Sequence, residues 1–183
     1  MMANLTEIKK VMLISPTRVK SFGIVGINLD DGRLGECIRL AHIHLREVVT
    51  PALMERLQEL VYNKLQGSGE TIDDEQFIAY KTLLDEYVVP ALAYATGVEA
   101  AVLNQLKIRN AGTVKNTDSN VITTGPDEYK YLAEYLRGYL NDAYNRIADY
   151  LCENKEALVE LPSGYCTCSS RPRYASSGLW LGK

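Results

Sequence analysis

Histidine, phenylalanine and tryptophan are scarce in this 183-residue chain: two, two and one, respectively. His42 and His44 are two apart in a helical pattern, so they point in different directions and cannot jointly chelate a metal from that helix. Glu36 and Glu47 share the helix, but there is no His-Glu-x-x-His pattern, and each histidine reads as a surface or internally satisfied residue. The glycine patterns of phosphate sites are also missing. Gly23-Ile24-Val25-Gly26 lacks a third glycine, Gly67-Ser68-Gly69 lacks the P-loop lysine, and Ser163-Gly164 is not a nucleophile elbow. The carboxylates of Asp30-Asp31 and Asp73-Asp74-Glu75 fall at helix starts, where they cap exposed amides. Without a convergent nucleophile, base and orienting group, the chain reads as a non-enzyme with no cofactor and no metal.

No apolar run approaches the ~20 residues that span a bilayer. The start, Met1-Met2-Ala3-Asn4-Leu5-Thr6-Glu7, lacks the basic-then-apolar order of a secretory signal, so the expectation is synthesis and folding in a cytoplasm. A formal net charge of -3 and a pI near 5.5 argue against a dedicated nucleic-acid binder. Of the four cysteines, Cys37 and Cys152 fall on apolar helical faces as small core residues. Cys166 and Cys168 lack the two-residue spacer of common zinc and redox motifs. They read as inert thiols, with metal binding or a regulatory disulfide as alternatives.

What the chain does have is helical periodicity. Val11 to Ile14 is a short apolar run read as extended, Ser15-Pro16 starts a short helix over 16–21, and Phe22 to Leu29 reads as an extended connector. Leu34, Cys37, Ile38, Ala41, Leu45, Val48 and Val49 form one apolar stripe after the Asp30 cap. Thr50-Pro51 restarts the chain into a helix with Leu53, Leu57, Leu60, Val61 and Leu65 inward, stopped at Gly67. Phe77, Tyr80, Leu84, Tyr87 and Val88 mark a third helix, and Leu92, Ala95, Val98, Ala101 and Val102 continue the pattern. Pro90 between them predicts one kinked helix or two helices meeting. The longest helix runs from Asp127 to Asn154, with Tyr129, Leu132, Leu136, Tyr139, Leu140, Ala143, Ile147, Tyr150 and Leu151 inward.

Between them, Lys107 to Val114 is short and β-branched around Gly112, and Asn116 to Asn120 is a polar turn cluster. The expected architecture is all-α: a helical bundle with an inserted β-hairpin or loop and extended N- and C-terminal arms. Residues 1–30 are assigned to the N-terminal arm with its short helix, 31–160 to the bundle with a projecting loop at 106–124, and 161–183 to the C-terminal arm.

Tyrosine is abundant, with twelve in the chain, and six lie on the last predicted helix: Tyr129, Tyr131, Tyr135, Tyr139, Tyr144 and Tyr150. They occupy more than one face, and tyrosine suits surfaces where a ring is covered while its hydroxyl stays near water. Tyr131, Tyr135 and Tyr144 are therefore candidate subunit contacts; the alternative is that several cap the core. Ile108, Val114, Val121 and Ile122 join them, because short β-branched runs offer strand edges to a partner. The C-terminal arm lacks helical period yet carries Arg171, Arg173, Tyr174 and Trp180, of the types enriched at interface hot spots. It ends with the apolar triplet Leu179-Trp180-Leu181, which a free monomer would be expected to hide.

The order of these signals has a counterpart. Leu13-Ile14-Ser15, the Asn28-Leu29-Asp30 lead-in, Tyr80-Lys81-Thr82-Leu83-Leu84 running into Val89-Pro90-Ala91-Leu92, and Ile108 to Val114 carry it. So do Ala143-Tyr144-Asn145-Arg146-Ile147 and Asp149 to Asn154. Over residues 13–160 the chain resembles the head-to-tail connector (adaptor) proteins of tailed bacteriophages, in the version found in Bacteroides phages, including crAss-like ones. The resemblance lies in order and spacing and excludes the tail beyond 163. It implies a structural virion protein at the head-tail interface, a homo-oligomeric ring, usually of twelve copies, beneath the portal protein. Such a ring extends the DNA channel without sequence-specific binding and offers a platform to the next tail component. With the resemblance set aside, a small helical regulatory or ligand-binding module is the other reading.

Overall fold

Short polar side chains ahead of apolar runs decide where the helices begin. The Ser15 hydroxyl accepts from the Arg18 amide at 3.2 Å, and Pro16 opens helix α2 (Pro16–Ser21). Asp30 accepts from the Arg33 amide at 3.0 Å at the head of α3 (Asp31–Val49). Thr50 accepts from the Leu53 amide at 3.4 Å, and Pro51 opens α4 (Pro51–Gln66). Proline belongs at these positions because the first helical amides have no intrahelical acceptor to lose. Gly67, left-handed at φ 64°, ends α4, and the Ser68 amide closes back onto the Asn63 carbonyl at 3.1 Å.

A computed structural model describes residues 5–103, 106–109, 112–115, 126–163 and 165. It adds α1 (Leu5–Ile8), α5 (Ile78–Thr82), α6 (Val89–Leu103) and α7 (Pro126–Glu153). The protein is all-α in class. Two four-residue antiparallel strands, β1 (Leu106–Arg109) and β2 (Gly112–Lys115), are the non-helical regular structure among the described residues. Their register pairs Lys107 with Val114 and Ile108 with Thr113.

All seven stripe residues assigned to α3 are buried. They meet α6, the central element, which packs against both α3 and α7. Being covered on several sides, α6 buries Val89, Ala91, Leu92, Ala93, Ala95, Thr96, Val98 and Ala100 rather than one stripe. The buried Thr96 hydroxyl is satisfied by the Leu92 carbonyl at 2.6 Å. Pro90 neither breaks the chain nor separates two helices. The backbone widens into a π-helical turn over Leu83–Val88 and continues directly into α6. Proline lacks the amide proton and crowds the preceding turn, and a widened turn relieves that crowding.

Three expectations need correction. Residues 22–29 are turns rather than an extended connector, closed by the Gly23 amide on the Lys20 carbonyl and the Leu29 amide on that of Gly26. The N-terminal segment is not an extended arm either. Leu13, Ile14 and Val19 belong to the common core, and the Gln58 side chain donates to the Val11 carbonyl at 2.9 Å. Finally, Leu65 is exposed at the end of α4, while Met54 and Gln58 take buried positions on that helix.

Candidate interaction surfaces

Large apolar side chains are exposed at several places, Ile27, Leu65, Ile78 and Val159 among them, and at two they are grouped into a surface. The first runs along the N-terminal half of α7. Tyr131, Tyr135 and Tyr139 recur every fourth residue, so they share one face. All three are exposed, Tyr131 by 71%, and Leu132 beside them is also exposed. The stripe is ordered by its own contacts. The Tyr135 and Tyr139 hydroxyls are 2.9 Å apart, their rings meet edge to face, and Tyr139 stacks on Tyr94 of α6 with centroids 5.6 Å apart. The hydrogen bond to Tyr139 is the main reason the Tyr135 phenol is held above its ordinary pKa.

The second surface is a groove of about 530 Å³ between the segment after α1 and helices α3 and α4. Val11, Met12, Ile43 and Met54 make its apolar part. Ile43 is 61% exposed and Met12 41%. Lys9, Lys10, Arg39 and Arg46 stand around it. Their carboxylate partners are Glu7 for Lys10, Glu36 for Arg39, and Glu55 for both Lys9 and Arg46. His42, also in the lining, is satisfied on both nitrogens. Its Nε2 accepts from the Leu13 amide at 3.0 Å, and its Nδ1 lies 2.8 Å from the Ile38 carbonyl. This pattern holds the ring neutral with the proton on Nδ1, and burial lowers its pKa. His44 is exposed and lies 3.5 Å from Glu99.

The side chains assigned from sequence divide three ways. Tyr131 and Tyr135 stand on the exposed stripe. Tyr144 does not: it is 7% exposed and part of the core, because it lies on the face of α7 turned toward the bundle. Leu132 and Tyr139, assigned inward, are exposed, since at this height α7 turns Ala133 and Leu136, both buried, toward the bundle. Ile108 and Val114 lie on β1 and β2. Val121, Ile122, Cys166, Cys168 and the arm residues Arg171, Arg173, Tyr174, Leu179, Trp180 and Leu181 lie outside the described residues. The groove was not anticipated; the apolar Met12 and Ile43 carried no periodic signal that would have singled them out.

Cys37 is buried, and burial first and Glu99 second push its thiol up, away from the reactive thiolate. Among the described residues, no group of three or more His, Cys, Asp or Glu side chains is placed to hold a metal ion. No helix of the described residues is long and apolar enough to cross a membrane.

The geometry thus defines a small all-α protein with two separate exposed apolar surfaces. A protein-family model matches residues 45–169, and the chain belongs to that family, a family of unknown function (DUF6712). The tyrosine stripe lies wholly inside the matched residues, whereas most of the groove's lining precedes them. No curated protein and no solved structure matches the chain.

Proposed function

We propose that this chain is a structural subunit rather than an enzyme, a head-to-tail connector in a tailed-phage virion. The observation that carries the reading is the pair of surfaces just described. A subunit that forms a ring needs two different sticky faces, one for each neighbour. The tyrosine stripe and the groove are two such faces on different helices. Phage-connector membership itself rests on the resemblance over residues 13–160.

In this reading, copies form a ring, a dodecamer by the resemblance, beneath the portal protein, assembled in the host cytoplasm. DNA passes through the lumen, and the far side receives the next tail component. The chain's net negative charge fits a channel wall that does not retain phosphates. The segment 106–124 is, in this reading, an inserted hairpin or loop that projects to a neighbour, with Ile108, Val114, Val121 and Ile122 as its contacts. The C-terminal arm anchors the portal through Arg171, Arg173, Tyr174, Leu179, Trp180 and Leu181.

Electron microscopy of the chain mixed with its portal tests the reading, with mass in solution measured by light scattering. A ring seated on the portal is the expected outcome. A chain that stays monomeric, alone and with the portal, overturns it. The groove favours one second reading, a ligand-binding module, because its size matches small-molecule sites. A small molecule retained by the monomer in native mass spectrometry would support that reading instead.

A further inference from the structure

We propose that the two surfaces are halves of one contact: the α7 tyrosine stripe of one copy seats in the α3–α4 groove of the next. The inference rests on the ring reading and names the contact that would build the ring. It follows from shape and charge together. Tyr131, Tyr135 and Tyr139, with Asp142 at the next turn, cover roughly 16 Å of helix. An amphipathic helix laying one face into an apolar groove is a recurrent mode of recognition.

Charge fixes which surface answers which. Four cations surround the groove, but they share three carboxylates, because Glu55 serves both Lys9 and Arg46. One positive charge is therefore in excess there. On the stripe face, Asp142 is exposed and has no ion-pair partner among the described residues. Glu134 stands four residues after Lys130 and three before Arg137, so it shares their flank and is balanced there, and Asp142 is the carboxylate on the stripe face itself. Arg146, one turn beyond Asp142, is already over the Tyr87 ring at 5.6 Å. The stripe thus presents the Asp142 carboxylate and electron-rich ring faces to a surface with surplus cation, and guanidinium and ammonium groups settle over such faces. Apolar area on both sides, Leu132 against Met12 and Ile43, loses water in the same step.

Because donor and acceptor surfaces differ, a single contact leaves one stripe and one groove open at the ends of a pair. Addition therefore continues until the ring closes. The test uses the full chain in three forms: wild type, the stripe variant Tyr131→Ala/Tyr135→Ala, and the groove variant Ile43→Glu. All three substituted side chains are exposed, and Tyr139 is left intact because it stacks on Tyr94. Met12→Glu serves as a second groove variant, and circular dichroism confirms the fold of each. Light scattering after size exclusion is expected to show a large assembly for wild type. Each variant alone should associate roughly tenfold or more weakly, as for loss of an interface anchor. An equimolar mixture of stripe and groove variants should then form a heterodimer and stop there, since each retains the half the other lacks. Wild-type rings with undiminished assembly of both variants, or two defective variants that form no heterodimer, overturn this contact while leaving the ring reading standing. A wild-type chain that stays monomeric, alone and with the portal, overturns both.

Discussion

His42 shows how one side chain ties a loop to a helix. Its acceptor nitrogen takes the Leu13 amide, so protonation would set two donors against each other. Burial is what depresses the pKa below 6.5 in the folded protein. A depressed histidine stabilises the fold above its unfolded pKa, and the contribution is lost as pH falls from there toward the folded value. The urea midpoint of the wild type should therefore drop between about pH 8 and about pH 5.5, and drop less for His42→Gln. Equal pH dependence of the two would show that the ring nitrogen is not the sensor. Gly97, inside α6, is a packing glycine. A Cβ there would collide with Cγ2 of Ile24 and stand 3.3 Å from Cδ1 of Leu136. Gly97→Ala gains about 1 kcal/mol of helix propensity but overpacks at a cost of about 1–3 kcal/mol, so a net loss is expected. The loss should shrink in an Ile24→Ala background, as a double-mutant cycle by chemical denaturation would read.

At the scale of elements, the α3–α4 junction is held by Thr50, the one non-glycine residue with positive φ among the described residues, at φ 75°. It ends one helix and caps the next. Such a conformation costs a β-branched residue on the order of 1–3 kcal/mol, whereas threonine-to-glycine at a cap loses only about a few tenths. Thr50→Gly is expected to raise stability, and Thr50→Ala to lower it by about 1 kcal/mol, because alanine loses the cap without relieving the strain. Thermal unfolding of the two variants settles the sign. The helix starts at Ser15, Asp30 and Thr50 were legible in the sequence because capping is local chemistry. The π-helical turn before Pro90 was not. Proline signals that a regular turn cannot continue, but neighbours decide between a kink, a break and a widened turn. Here α6 packs against both α3 and α7, and continuity keeps Leu83, Leu84 and Val88 in the core.

At the scale of the whole molecule, the described residues past α7, 154–163 and 165, are part of the bundle. Leu158 is fully buried, the Tyr165 hydroxyl donates to the Val48 carbonyl at 3.1 Å, and the Tyr80 hydroxyl donates to Glu160 at 2.6 Å. Desolvation, followed by that carboxylate, pushes the Tyr80 phenol up to about 12. Leu158→Ala should cost about 2–5 kcal/mol, near a core leucine's usual loss, and Tyr165→Phe about 1 kcal/mol. A Leu158→Ala chain with an unchanged denaturation midpoint would show that this segment adds nothing to the fold.

The sequence by itself determined the starts of α2, α3 and α4, the stop at Gly67 and the inward stripe of α3, because capping, proline and apolar period act within a few residues. Tertiary structure decided which outward residues matter. Tyr131, Tyr135 and Tyr144 look alike in sequence, yet the bundle covers the third and leaves the first two in solvent. The groove around Ile43 exists only because the segment from Lys9 to Met12 lies beside α3 and α4. Its site depends on contacts between residues dozens of positions apart, such as Leu13 with His42 and Val11 with Gln58. Local periodicity carries no record of such long-range packing, which arises when separate apolar faces exclude water together.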